Sequence, residues 1–305
     1  PSRSRLEDVI QQIVAGANRM VNESVPIADA RLSDGSRVNV VLYPVALNGP
    51  VVTIRKFPSE QITMQDLVRL GALSEETAGF LKMLVVAGYN IFISGGTGSG
   101  KTTLLNALSQ FIPSEERVIT IEDNAELQIQ GVPNLVRMEA KNPNMEGAGE
   151  ITIRQLIRTA LRMRPDRIIV GEVRGAETID MIQAMSTGHK GSLSTGHSDS
   201  PRDMLRRLET MVLMGMDIPL AAIQRQIASA IDIIIHVGRL RDKSRKVLEI
   251  VEVLDYEDGE IQTGCLYEFQ ETKCRRTDGV IEGRWQKVRP LLHTEKLLSA
   301  GYQTP

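Results

Sequence analysis

The residues with the clearest chemical meaning are a glycine-rich run that ends in lysine and threonine. Residues 95–102 read Gly-Gly-Thr-Gly-Ser-Gly-Lys-Thr, which matches the G-x-x-x-x-G-K-[ST] phosphate-binding pattern. An apolar segment at 90–94 precedes the run and a helical pattern follows it, as the motif requires. Glycines let the backbone curl so that successive N–H groups point at phosphate oxygens, and the start of a helix adds a positive dipole end. The run predicts a phosphate site.

Each residue type in this P-loop has an expected role. Lys101 would reach the β- and γ-phosphates of ATP, while Thr102 would offer its hydroxyl to Mg²⁺. A loop that merely connects a strand to a helix would not need four glycines followed by Lys-Thr, so we favour binding over connection. ATP and Mg²⁺ are therefore the expected cofactors. The remaining contacts are expected from Gly95, Gly96, Thr97, Gly98, Ser99, Gly100 and Thr103.

Two predicted strands end in acidic residues that could complete such a site. Residues 167–172 read Arg-Ile-Ile-Val-Gly-Glu, and residues 118–123 read Val-Ile-Thr-Ile-Glu-Asp. Open α/β sheets bind ligands at the carboxyl ends of their strands, and carboxylates there hold Mg²⁺ and orient the attacking water. We expect Glu172 and Glu122 to be functional, although acids at strand ends also cap turns. Gly171 stands where the more common form of this motif has aspartate.

Two of the four histidines flank a further predicted strand. The segment 186–197 reads Ser-Thr-Gly-His-Lys-Gly-Ser-Leu-Ser-Thr-Gly-His and contains His189 and His197. Next to a nucleotide site they could sense the γ-phosphate or the water, and a purely structural role fits the residues equally well. Metal binding is not favoured, because further ligands do not cluster nearby in the sequence.

The elements that position these residues alternate between strand and helix from residue 90 onward. Strands are expected at 90–94, 117–122, 134–139, 167–171, 191–195 and 231–237, and helices at 100–110, 152–163, 175–186, 201–214 and 219–230. This alternation predicts a largely parallel sheet covered by helices on both faces. After residue 245 we expect a β-hairpin (246–254 with 260–268) and a short helix near 294–299.

The first 57 residues follow a different pattern. An apolar stripe predicts a helix over 4–22, and strands are expected at 28–32, 37–42 and 51–56 with a hairpin turn at Asp34-Gly35. Helical segments follow around 64–70 and 75–87. We therefore expect a small N-terminal α/β domain at 1–57, truncated at its start, a linker at 58–73, an α/β core at 74–245 and a C-terminal hairpin and helical appendage at 246–305.

Composition limits the class of protein. The 305 residues are 42% apolar and 24% charged, as in ordinary globular proteins. A net charge of −2 and an aromatic content of 4% give no overall reason to expect nucleic-acid binding. Cys265 and Cys274 resemble neither a zinc site nor a disulfide framework, which favours the cytoplasm. Apolar runs fall short of the ~18 residues that span a bilayer, so membrane contact would be peripheral.

Four segments in this order resemble the secretion ATPase superfamily of type II and type IV secretion and type IV pilus systems. The P-loop, 120–124, 165–174 and the Gly-His pairs at 188–189 and 196–197 correspond to its Walker A, Asp box, atypical Walker B and His box motifs. The Gly-Glu ending of Walker B is normal in that superfamily. Within it, 28–39, 53–57, 161–167 and 205–211 are most similar to the CpaF group, the ATPases of the Tad (Flp) pilus.

The resemblance implies a RecA-like P-loop ATPase core and a smaller N-terminal α/β domain. It implies a homo-hexameric ring that hydrolyses ATP between the two domains and moves an inner-membrane platform from the cytoplasmic side. It makes Glu122 the general base or water-positioning residue, and Glu172 a support for Mg²⁺ and the water. His189 and His197 would be phosphate sensors.

Arginines complete the charge neutralisation in such enzymes, and we expect Arg37 and Arg55 first and Arg174 next. Solvated charges at strand edges are the alternative for all three. Two other functions stay open at this point. One is a nucleic-acid-transfer motor of the type IV secretion class, and the other is a nucleotide-gated scaffold with little hydrolysis, which the intact set of acids disfavours.

Overall fold

The chain divides into two compact units, residues 1–61 and residues 62–305. The computed structural model describes residues 3–17, 19–56, 61–141, 143, 148–272, 279 and 281–303, so Phe57 and Cys274 lie outside the described residues. The boundary falls inside the expected linker at 58–73. Part of that segment is α2 (Met64–Arg69), whose buried residues belong to the core of the second unit.

The first unit consists of one helix and a small sheet. Helix α1 (Arg3–Gly16) packs on an antiparallel sheet of β1 (Ile27–Arg31), β2 (Arg37–Val41) and β3 (Val51–Arg55), in that order. The turn between β1 and β2 forms at the predicted position, since Asp34 accepts the N–H of Ser36 at 2.8 Å. The buried core of this unit contains Ile10, Val14, Val21, Ala28, Val38 and Val40.

Helix α1 ends six residues earlier than the apolar stripe predicts, at Gly16 rather than at residue 22. Glycine is a poor helix former, and the N–H groups of Ala17 and Arg19 both turn back to the carbonyl oxygen of Val14. Val21 still packs into the core, at 1% exposure, from the segment that follows the helix. The stripe therefore predicted the helix up to Gly16 and the burial of Ile10, Val14 and Val21, whereas Val9 (43%) and Met20 (47%) of the same stripe are exposed.

Nine strands of the second unit form one sheet in the described part of the chain, in the order β12-β11-β10-β9-β4-β8-β7-β5-β6. Strands β9 to β6 in this order run parallel to one another, and β10, β11 and β12 are antiparallel. The strands are β4 (Ile91–Gly95), β5 (Val118–Glu122), β6 (Leu135–Glu139), β7 (Arg167–Val170), β8 (Leu193–Gly196), β9 (Ile233–Arg239), β10 (Arg245–Glu257), β11 (Glu260–Glu271) and β12 (Gly283–Lys287).

Helices cover both faces of this sheet, as predicted. Ile91 and Ile93 of β4 face one hydrophobic core, and Phe92 between them faces the other. The first core also takes residues from α2, α3 (Glu75–Val86), α4 (Lys101–Ser109) and α9 (Glu295–Ser299). The second takes residues from α5 (Ile153–Ala160), α6 (Thr178–Ser186), α7 (Pro201–Gly215) and α8 (Leu220–Ala230).

The limits of the predicted core elements agree with the structure to within three residues, and the expected C-terminal hairpin and short helix are present as β10, β11 and α9. Strand β10 pairs with β9 along the registers Arg245↔Arg239 to Glu252↔Ile233 and thereby extends the main sheet. Strand β12, which pairs with β11, was not predicted. Within the described residues, the helices are all too short or too polar to cross a membrane.

The position of β4 is fixed at its amino end by the side chain of Asn90. Its Nδ2 donates to the carbonyl oxygens of Met185 (3.1 Å) and Ala230 (2.7 Å), and its Oδ1 accepts the N–H groups of Gly191 (2.9 Å) and Ser192 (3.1 Å). These bonds join β4 to the segment that precedes β8 and to the last turns of α6 and α8. They hold the strand that carries the P-loop in register with its neighbours.

Candidate active site

The P-loop lies between the carboxyl end of β4 and the first turn of α4. Gly98 (φ +70°) and Gly100 (φ +102°) adopt left-handed conformations that favour glycine. A Cβ on Gly95 would lie 2.7 Å from Ser99 Oγ and would also collide with the carbonyl oxygen of Val237. The glycines thus serve a backbone curl and a close approach, which is what a phosphate cradle requires.

Lys101 is buried inside this loop, with 7% of its surface exposed. Its Nζ donates to the carbonyl oxygens of Gly95 (2.9 Å) and Gly96 (3.0 Å) and lies 3.1 Å from Nδ1 of His197. Burial lowers the pKa of Lys101, and the carboxylate of Glu172 acts in the opposite direction. The ammonium group thus donates hydrogen bonds to carbonyl oxygens of the loop itself. Phosphate oxygens could replace these carbonyl oxygens as its acceptors.

His197 connects Lys101 to the acid at the end of the Walker B segment. Nε2 of His197 lies 2.7 Å from Oε1 of Glu172, whose Oε2 accepts a hydrogen bond from Nη2 of Arg174 at 2.8 Å. Burial lowers the pKa of His197, and the bond to Glu172 raises the pKa of Arg174. Because a lysine ammonium group can only donate, we assign a neutral His197 that carries its proton on Nε2.

Glu122 lies at the carboxyl end of β5 and is 4% exposed. Its Oε1 accepts the N–H groups of Glu126 and Leu127, both at 2.8 Å. Its Oε2 is buried and has no hydrogen-bond partner among the described residues. Burial raises the pKa of Glu122 to about 7. One oxygen is thus fixed by the backbone, and the other can exchange a proton near neutral pH.

Gly171 explains how this glutamate fits. A Cβ at residue 171 would lie 3.0 Å from Cγ and 3.4 Å from Oε1 of Glu122. The backbone at Gly171 is held on both sides, because its N–H donates to Ile121 (2.9 Å) and its carbonyl oxygen accepts the hydroxyl of Thr195 (2.8 Å). The glycine that departs from the common Walker B pattern therefore makes room for Glu122.

A family model described as "Type II/IV secretion system protein" matches residues 2–299. The chain belongs to the type II/IV secretion system protein family. Among its relatives, a putative conjugal transfer protein of Mycobacterium tuberculosis is 37% identical over 265 residues, which are 85% of this chain and 74% of the relative. The conjugal transfer protein TrbB of Rhizobium radiobacter is 32% identical over 268 residues, 87% of this chain and 79% of the relative.

Solved structures of secretion ATPases share the fold of this family member. The VirB11 ATPase of the Brucella suis type IV secretion system, in complex with sulphate, is 30% identical with a TM-score of 0.52 and covers 82% of this chain and 83% of its own. The Legionella pneumophila ATPase DotB has a TM-score of 0.56 at 21% identity and covers 85% of this chain and 70% of its own. At this identity, the similarity is evidence for a shared fold and not for a shared role. The α/β fold with a P-loop core and the superfamily are confirmed, whereas these relatives do not single out the CpaF group.

His189 does not join the phosphate site of this secretion-family chain. It precedes β8, and its Nδ1 lies 3.2 Å from the carbonyl oxygen of Ala184. Strand β8 runs parallel to β4, so His189 lies at the amino-terminal edge of the sheet, and His197 and the P-loop lie at the carboxyl-terminal edge. A strand separates the two histidines. The structure therefore does not support His189 as a phosphate sensor.

Arg37 and Arg55 lie in the first unit, directly opposite each other in the register of β2 and β3. Arg31 of β1 is opposite Arg37, so the three arginines form one row across the small sheet. Directly paired residues project from the same face of a sheet. The row places three guanidinium groups on one face of the small sheet.

Two residues next to the P-loop were not predicted from the sequence. Nε of Arg245, at the start of β10, donates to the carbonyl oxygen of Gly98 at 2.8 Å. Nδ1 of His236, on β9, lies 2.9 Å from the hydroxyl of Ser94, and burial lowers the pKa of this histidine. Neither residue belongs to a motif. The sequence predicted strands at 231–237 and from 246, but the position of β9 beside β4 comes from the structure.

The residues at this edge fit Mg²⁺ held jointly with a nucleotide. Thr102 is half-buried in the first turn of α4, and Glu172 lies at the end of β7. In the described ranges, no three His, Cys, Asp or Glu side chains cluster so that they could hold a metal ion by themselves. Mg²⁺ commonly takes one or two protein ligands and completes its shell with phosphate and water. Thr102 and Glu172 match that pattern.

We expect Gly171→Ala to destabilise the protein by about 1–3 kcal/mol, because the added methyl group must displace Glu122 from a packed position. Denaturant unfolding of the two variants measures the effect. Gly175→Ala is the matched control, since its methyl group would lie 3.5 Å from the nearest atom, Oε2 of Glu177, an ordinary contact. Equal free energies of unfolding for the two variants would show that Gly171 does not make room for Glu122.

Proposed function

We propose that this chain hydrolyses ATP to drive a type II/IV secretion or pilus machine. The observation that carries the proposal is the buried Glu122, which has one oxygen fixed by two N–H groups and the other without a partner in the described structure. It packs against Gly171, and the next residue, Glu172, is connected to Lys101 through His197. A proton acceptor and a phosphate-binding lysine thus belong to one group of side chains.

Phosphate binding would use the loop and Lys101 together. The inward N–H groups and the start of α4 favour the β-phosphate, and Lys101 would leave the carbonyl oxygens of Gly95 and Gly96 for phosphate oxygens. His197 would then be free to contact the γ-phosphate. This exchange keeps the buried ammonium group fully hydrogen-bonded before and after nucleotide binds.

Hydrolysis needs a water molecule in line with the bond to ADP. Glu122 Oε2 would accept a proton from this water as its oxygen attacks the γ-phosphorus, and the bond to the β-phosphate oxygen breaks to release ADP. Bound Mg²⁺, held by Thr102 and Glu172, would neutralise phosphate charge. Arg174, which bonds to Glu172, would supply a further positive charge at the same edge.

The arginine row of the first unit is the candidate source of further positive charge. We propose that Arg37 and Arg55 neutralise the charge that develops on the γ-phosphate, because their register gives them a shared position on one face of the sheet. The assembly would be a homo-hexamer that works at the cytoplasmic side of the inner membrane on platform proteins. ATP hydrolysis would drive motion of the assembly, and this motion would be passed to the platform.

Two machines are candidates for this motor. Similarity of 28–39 and 53–57 to the CpaF group favours assembly of a Tad-type pilus. The names of the relatives in Mycobacterium tuberculosis and Rhizobium radiobacter favour conjugal transfer as the second candidate. A titration with double-stranded DNA at several salt concentrations separates them, because a DNA motor shows binding that weakens steeply with salt. The net charge of −2 favours the result without binding.

Lys101→Ala and Glu172→Gln should each lower steady-state phosphate release at least about tenfold, since each removes a charge that acts on the phosphates or on Mg²⁺. Lys190→Ala is a matched control, because Lys190 is exposed and precedes β8 at the opposite edge of the sheet. Its turnover should equal that of the wild type. Wild-type turnover in both site variants would refute the assignment of ATP hydrolysis to this site.

The pH dependence of kcat/KM should follow Glu122. Burial, opposed by the N–H groups of Glu126 and Leu127, raises its pKa to about 7; the charge of Arg137 also lowers this pKa, and that of Glu126 raises it. The base form appears only as the pH rises through about 7, so kcat/KM should fall about tenfold per pH unit below that value. Any residual activity of Glu122→Gln should lack this limb. A flat wild-type profile between about pH 5.5 and 8 would exclude Glu122 as the base.

A further inference from the structure

The tip of the P-loop, residues 96–98, has few packing contacts with the rest of the protein. Thr97 and Gly98 are exposed, and a Cβ built on Gly96 or Gly98 would have no atom within 4 Å. Within the loop, the N–H of Ser99 makes a long bond of 3.3 Å to the carbonyl oxygen of Gly96. An unsupported glycine-rich tip samples many backbone conformations, and phosphate binding must select one of them.

Arg245 supplies a contact to this tip from a rigid element. Its Nε donates to the carbonyl oxygen of Gly98 at 2.8 Å, and its Cδ would lie 3.4 Å from a Cβ on Gly100. Arg245 is the first residue of β10 and pairs with Arg239 of β9, which is itself the neighbour of β4. The contact therefore connects the loop to the same sheet from which the loop starts.

This bond differs from those that Lys101 makes. Lys101 bonds to the carbonyl oxygens at the base of the loop, Gly95 and Gly96, and must exchange them for phosphate. The bond of Arg245 to Gly98 uses a carbonyl oxygen of the tip and a donor outside the loop. Nothing in phosphate binding requires it to break, because the loop binds phosphate through N–H groups.

We propose that Arg245 is a positioning residue that holds the P-loop in its phosphate-binding conformation through the bond from its Nε to Gly98. The inference rests on the proposed nucleotide binding and adds a residue to it. The loop conformation matters for every phosphate that the loop binds. Loss of the bond therefore weakens the binding of ADP and the binding of ATP to the same extent. The chemical step, which depends on Glu122, is left unchanged.

The chain offers variants that separate the bond from the charge. Arg245→Ala removes both. Arg245→Gln removes the charge but keeps a donor, because the amide nitrogen of glutamine stands at the same position along the side chain as Nε of arginine. Arg241→Ala removes a charge from the turn that joins β9 and β10. There Arg241 pairs with Glu271 at 2.5 Å and, among the described residues, makes no polar contact with the P-loop. If the lost positive charge were the cause, all three variants would bind nucleotide more weakly.

The test measures equilibrium binding of fluorescent ADP and of a fluorescent non-hydrolysable ATP analogue, each with Mg²⁺, to the full chain, together with kcat for ATP. Arg245→Ala should raise both dissociation constants about tenfold with kcat within about twofold, whereas Arg245→Gln and Arg241→Ala should bind within about threefold of the wild type. Circular dichroism checks that each variant is folded.

Several results would overturn the proposal. Unchanged nucleotide binding by Arg245→Ala would exclude the positioning role. Equally weakened binding in Arg245→Gln and Arg245→Ala would also exclude it, because the effect would then come from the lost charge. Weaker binding of ATP with unchanged binding of ADP would mean that Arg245 contacts the γ-phosphate itself. Failure of the wild-type chain to bind either nucleotide is a different result, because it contradicts the proposed function and not this inference alone.

Discussion

A buried positive charge is the constraint around which the site is built. Lys101 is almost fully enclosed, and an ammonium group taken out of water needs hydrogen-bond acceptors to remain charged. The carbonyl oxygens of Gly95 and Gly96 and the ring of His197 supply them. Because Nδ1 of His197 must accept from Lys101, its proton is on Nε2, which lies 2.7 Å from Oε1 of Glu172, and that carboxylate in turn holds Arg174. One requirement thereby orders four side chains.

The parallel strands bring these groups together. Glu122, Glu172 and His197 follow three different strands, and the P-loop follows a fourth, yet all lie at the carboxyl-terminal edge. Helices on both faces keep that edge in place, and Asn90 fixes the register of β4 from the other end. The sheet is therefore the reason why residues separated by about a hundred positions form one site.

Much of this arrangement follows from local sequence rules. The P-loop and the acids at strand ends are short motifs whose context can be checked residue by residue, and the strand–helix alternation from residue 90 gives the parallel core. The structure added a reason for Gly171, which is the space that Glu122 occupies. It also separated His189 from His197, since the two flank one strand and so lie at opposite edges of the sheet. The motif alone treats them as a pair.

Other features depend on contacts between distant parts of the chain and carry no local signal. Arg245 reaches Gly98 across 147 positions, and only the antiparallel pairing of β10 with β9 brings it there. Strand β12 has no strong strand pattern, and it exists because β11 offers it an edge.

The decisive measurement is a structure of the chain with a non-hydrolysable ATP analogue and Mg²⁺. We expect Lys101 Nζ to have left Gly95 and Gly96 and to lie about 3 Å from phosphate oxygens, with Glu122 Oε2 facing a water in line with the γ-phosphate. Lys101 still bonded to the two carbonyls, with the nucleotide bound elsewhere, would contradict this expectation.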